Sequence, residues 1–111
     1  MNARLSEYRI MWLLVFFDLP TDTRKHRREY SEFRKNLIKD GFTMFQFSIY
    51  VRNCASMENA EVHKKRVRNI VPEEGQIGML CITDKQFEGI ELFYGTKITP
   101  PPHSAIQLEL F

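Results

Sequence analysis

One carboxylate in this sequence stands where chemistry is commonly placed. Asp18 closes the apolar run Met11 to Pro20, MWLLVFFDLP, so a rigid element delivers it to the point where a strand gives way to a loop and a helix. A carboxylate there suits a divalent cation such as magnesium, which is held through one or two carboxylates together with substrate phosphates and waters. Alone, it equally suits orienting the turn. A two-fold axis near the end of that strand would bring two copies of Asp18 to one cleft, enough to bind an ion that activates water for phosphodiester cleavage. A second set of residues is basic. Arg24, Arg28, Lys64 and Arg66 lie on the outer faces of two helical segments in a chain whose net charge is only +2, a bias that suits phosphate contact without base reading. A solvated surface is the plainer reading of such charges. The third set is Gln46, Ser48, Tyr50 and Arg52, hydrogen-bonding groups at alternate positions that form one polar strand face, with Arg52 the member best suited to phosphate. His26, near a helix start, has the chemistry of an acid or base; His63, on an inner helix face, reads as structural. Cys54 and Cys81 are far apart with no CxxC pairing, and the three histidines lack ligand spacing, so free thiols and no zinc are expected.

The elements that must position these groups follow from the pattern. Met11 to Pro20 is too short to cross a bilayer, and its β-branched and aromatic content, stopped by Pro20, predicts a central strand buried on both faces. Thr21-Asp22-Thr23 offers capping side chains. A helix with Tyr30, Phe33, Leu37 and Ile38 on its inner face follows, ended by Gly41 as the C′ residue. In Phe42 to Arg52 the apolar alternation changes phase near Met44 and Phe45, which requires a bulge or tight reversal and yields two short strands. Ser56 caps a second helix with Met57, Ala60, Val67, Ile70 and Val71 inward, closed by Pro72. Gln76 to Thr83 is an apolar strand, Asp84 to Gln86 a turn, and Phe87 to Tyr94 a further strand. Behind Pro100-Pro101-Pro102, the tail alternates Ile106, Leu108 and Leu110 against Gln107 and Glu109, a strand in need of a neighbour.

Length and composition bound the whole. With 111 residues, 43% hydrophobic and 27% charged, the chain suits one globular domain over residues 11–95, between a lead-in at 1–10 and a proline-containing tail at 96–111. Neither a signal core nor a membrane span is visible, so the expected location is the cytoplasm. The order of elements predicts an α+β sandwich, ferredoxin-like βαββαβ, with an added strand and a strand-forming tail. Two helices cover one sheet face and leave the other bare, which predicts a homodimer built face to face.

The strand end Phe17-Asp18-Leu19, the basic helix closed by Gly41-Phe42, and the segment Gln46-Phe47-Ser48-Ile49-Tyr50-Val51-Arg52 resemble the CRISPR-associated protein two family, in the branch found beside single large RNA-guided nucleases. The resemblance runs over most of residues 11–95. It implies a ferredoxin-like homodimer whose two strand-end aspartates flank a magnesium-dependent phosphodiesterase site, with Asp18 as the catalytic and metal-binding residue. It implies an RNA or double-stranded DNA substrate, and a partnership with the CRISPR-associated integrase, protein one, in spacer acquisition and antiviral defence. Phe17 stands where many members carry Tyr, and the ten-residue lead-in is longer than usual. The alternative within the same family is a non-catalytic DNA-binding scaffold. For the tail, Ile106, Leu108 and Leu110 are expected to fill pockets on the sister subunit or the integrase.

Overall fold

The computed structural model describes residues 9–95, 97 and 98. Strand β1 (Met11–Asp18) leads through a capped turn into helix α1 (Arg24–Lys39), where the Thr23 side chain accepts from the His26 backbone N–H. Gly41, at φ +90°, ends α1: the Phe42 N–H donates to the Leu37 carbonyl and the Gly41 N–H to that of Ile38, while Phe42 and Leu37 share one core. Strands β2 (Thr43–Gln46) and β3 (Ile49–Cys54) follow, then helix α2 (Met57–Arg68), capped by Ser56, and strand β4 (Gln76–Thr83). The sheet order is β2-β3-β1-β4, all antiparallel. With two helices on one face, this is the ferredoxin-like βαββαβ arrangement.

Alternation along β1 divides the interior. Met11, Leu13, Val15, Phe17 and Leu19 point to α1 and α2, where they meet Phe33, Leu37, Ala60 and Val67. Phe33 and Leu37 each contribute about 2 kcal/mol or more by leaving water. Trp12, Leu14, Phe16 and Asp18 point to the opposite face. The phase change expected in Phe42 to Arg52 is present as a register shift between Met44 and Gln46, and the chain reverses at Phe47 and Ser48.

Four expectations are corrected. Phe87 to Tyr94 is not one strand: a short helix α3 (Asp84–Glu88) is followed by a two-residue strand β5 (Phe93–Tyr94), paired with β6 (Lys97–Ile98). The reason is local chemistry, since Thr83 and Gln86 form a reciprocal capping box that starts a helical turn. That turn folds Phe87 back onto Trp12, rings stacked at 4.2 Å, with the Trp12 indole N–H on the Asp84 carboxylate. The sheet's second face is therefore not wholly bare; Trp12, Val51 and Phe87 form a small core on it. Third, Tyr50 and Arg52 are not on a solvated face. The pairing of Val15 with Tyr50 turns Tyr50 toward the helices, where it is 1% exposed. Finally, Ile38, Met57 and Val71 are about half exposed and do not join the core, while His63 holds the inner position on α2 expected of it.

Candidate active site

Asp18 ends β1 with its side chain exposed on the face away from the helices. Register places Gln76 of β4 directly opposite it. On the other side the Phe17 N–H donates to the Ser48 carbonyl at 3.1 Å, tying the strand end to the β2–β3 reversal. Ser48 holds a left-handed backbone, φ 64°, which turns that carbonyl toward β1. These residues, with Phe16, Phe47, Ile49 and Gly78, line one open cleft of about 470 Å³. Its floor is apolar because the Phe16 ring lies directly against Gly78, so closely that a Cβ there would fall 2.2 Å from a ring carbon. The Asp18 side chain makes no hydrogen bond or ion pair among the described residues, so its oxygens are available for a ligand.

Behind the strand end sits a second polar group. His26, in the first turn of α1, places Nδ1 2.6 Å from Asp22 and Nε2 3.0 Å from Glu74. The Asp22 carboxylate holds the imidazole above its ordinary value against partial burial, with Glu74 adding to the effect, and Asp22 is lowered in return. His26 thereby clamps the loop before β4 to the start of α1, one residue from Gly75, which packs against the Asp18 carbonyl and Leu19. Cys54 and Cys81 are free thiols, and burial pushes both above the ordinary thiol value, which disfavours a nucleophilic thiolate.

Residues 11–90 match the family described as CRISPR associated protein Cas2. A CRISPR-associated endoribonuclease Cas2 of Flavobacterium psychrophilum is 64% identical over 98% of this chain and 95% of its own length. The protein of the same name from Parvibaculum lavamentivorans is 54% identical over 91% and 100%. The chain belongs to the Cas2 family. A solved structure of a cas2 protein covers 83% of this chain and 93% of its own at a TM-score of 0.55; with 17% identity, that likeness concerns the fold.

In this Cas2-family chain the predicted site residues are dispersed. Arg24 and Arg28 lie exposed on α1 and form no ion pair among the described residues. Lys64 pairs with Glu61 at 3.2 Å along α2. Arg66 donates to Asp40 at 2.8 Å, and the same carboxylate meets His63 Nδ1 at 2.7 Å. Arg52 is drawn inward, its Nε on the Asp40 carbonyl and its Nη1 on that of Asn53, each at 2.7 Å. Its guanidinium fastens β3 to the end of α1 through these two bonds. Ile106, Leu108 and Leu110 lie outside the described residues. Reading the sequence missed Gln76 and Glu74, whose placement depends on strand register and on contact between segments far apart in the chain, which no local pattern carries; it also missed Asp22, although its position four residues before His26 is a local helical spacing that could have shown it.

Proposed function

We propose that this chain is a magnesium-dependent endonuclease that hydrolyses phosphodiester bonds in RNA or double-stranded DNA, working as a homodimer with the CRISPR-associated integrase in spacer acquisition and antiviral defence. The observation that carries the reading is the unpartnered, exposed carboxylate of Asp18 at the end of a central strand, in a cleft walled by Ser48 and Gln76. The endoribonuclease names of the relatives support hydrolysis of RNA.

The donor set fits magnesium in kind. Asp18, Gln76 and Ser48 offer hard oxygen ligands, and no group of three or more His, Cys, Asp or Glu among the described residues competes with them as a closed site. One carboxylate per chain matches an ion completed by substrate phosphate and by a second copy of Asp18. Such an ion supplies charge neutralisation at the phosphate and lowers the pKa of water beside it. The protein's own part is positional. The bond from Phe17 to Ser48 and the eight-residue pairing of β1 with β4 hold Asp18 in a fixed direction, so little reorganisation is needed when substrate arrives. Phe16 and Leu80, 45% and 52% exposed, share the face of Asp18 and support face-to-face dimerisation, which would set two aspartates in one cleft.

The scaffold reading is favoured by one observation: the cleft is lined by a single carboxylate, Asp18, while Arg24 and Arg28 stand exposed on α1 with no ion pair among the described residues. Asp18→Asn separates the two. A nuclease should lose magnesium-dependent cleavage by at least the roughly 100-fold that loss of an outer-shell partner costs at a metal site, while remaining dimeric and able to bind nucleic acid. The measurement is cleavage of labelled RNA and duplex DNA beside spacer integration with the integrase. Cleavage that survives the substitution removes Asp18 from the reaction; integration that survives while the wild type shows no cleavage assigns the chain to the scaffold.

A further inference from the structure

Phe47 is the most conspicuous apolar group that the reading above leaves unused. It stands at the tip of the β2–β3 reversal, is 81% exposed, and lines the same cleft as Asp18. Its ring is not loose: it stacks on Tyr30 of α1 at 6.5 Å with planes 26° apart, and Tyr30 in turn packs against Phe17 and the main core. Tyr30 thus steadies the ring from one side while leaving most of it open to solvent. Tyr30 is bracketed on α1 by Arg27, three residues before it, and Arg34, four residues after it. Helical spacing puts all three on one stripe, with the two arginines about 10 Å apart along the axis. Both side chains are anchored by a single bond, Arg27 Nη1 on the Thr21 carbonyl and Arg34 Nε on the Tyr50 hydroxyl at 2.6 Å, and both are otherwise exposed.

An aromatic platform between two anchored guanidiniums, on the rim of a cleft holding the candidate catalytic carboxylate, has the composition of a single-strand nucleic-acid site, where bases stack on rings and cations track the backbone. We infer that Phe47, backed by Tyr30, stacks an unpaired nucleobase of the nucleic acid bound at the Asp18 cleft, with Arg27 and Arg34 meeting the phosphates on either side. This rests on the reading of Asp18 as the cleavage site and adds the base contact that such a site would need.

The test uses the full chain carrying Asp18→Asn, without magnesium, so that binding is read apart from cleavage. Single-stranded oligonucleotides carrying 2-aminopurine, one RNA and one DNA, are titrated beside duplexes of the same sequence. Adding Phe47→Ala should weaken single-strand affinity about 5- to 100-fold and relieve 2-aminopurine quenching, while duplex affinity changes by less than about twofold. Phe47→Trp should restore both, and Phe47→Leu, which keeps bulk without a ring, should behave like Ala. Loss in the RNA arm alone assigns the platform to RNA, and loss in the DNA arm alone to DNA. Unchanged single-strand affinity, or equal loss on duplex, overturns the inference. So does a change of mass in light scattering on Phe47→Ala, which would give the ring to a subunit interface. Failure of the catalytic reading would show in the cleavage assay, which this titration does not use.

Discussion

Asp18 depends on a residue with no side chain. Gly75 holds φ +103°, and a Cβ there would lie 2.6 Å from Leu19 Cδ2 and 2.9 Å from the Asp18 carbonyl oxygen. Neither the backbone angle nor the space admits another residue, because the carbonyl belongs to the strand that carries the carboxylate. Gly75→Ala should therefore cost about 1–3 kcal/mol of stability in urea unfolding, and should lower cleavage further than that loss explains by shifting the Asp18 backbone. A variant that keeps wild-type cleavage would show that Asp18 does not need this support. The aspartate itself was legible from the sequence, since an apolar run ending in Asp-Leu-Pro marks a strand tip. The supporting glycine was not, because the contact joins β1 to the loop before β4, a pairing fixed only when the sheet forms.

Asp40 shows how the elements are joined. It caps the end of α1, receives Arg66 and His63 from α2 on its carboxylate, and offers its carbonyl to Arg52 of β3. Burial pushes its carboxyl up, but the hydrogen bonds from Arg66 and His63 outweigh that and leave it below the ordinary value of 3.8. A carboxylate lowered on folding adds stability that is fully present above pH 3.8 and is lost as pH falls through its lower folded value. Asp40→Ala strands a His63 ring nitrogen in the interior and should cost about 3 kcal/mol at neutral pH, with the acid limb of the stability profile flattened. Urea midpoints across the pH range check both; an unchanged acid limb would assign acid unfolding to other carboxylates. Capping at this scale was readable, with Thr23, Ser56 and Gly41 each where local chemistry puts them. The stretch from Phe87 was misread for the same kind of reason, because a capping box spanning four residues outweighed strand propensity once Phe87 had Trp12 to pack on.

At the scale of the molecule, the sheet's second face is divided. Helix α3 covers the Trp12 end, whereas Phe16 and Leu80 remain exposed toward the Asp18 end. A homodimer through that open half should give twice 13.2 kDa by light scattering at micromolar concentration, and Leu80→Lys should shift it to monomer by placing a charge in a closed apolar contact. A wild-type chain that stays monomeric would remove the shared aspartate pair along with the dimer. No helix among the described residues is long and apolar enough to cross a membrane.

Sequence alone determined the βαββαβ order, the central place of β1, the caps of both long helices and the family, because each rests on local pattern: apolar periodicity, capping residues and short motifs. Tertiary structure decided which groups meet. Gln76 faces Asp18 through strand register, His26 finds Glu74 across 48 positions, and Arg52 turns inward to a helix end. Tyr50 and Arg52 alternate as a polar face would, but pleat geometry fixes only that they share a side. Which side is buried was settled by the helices that packed there.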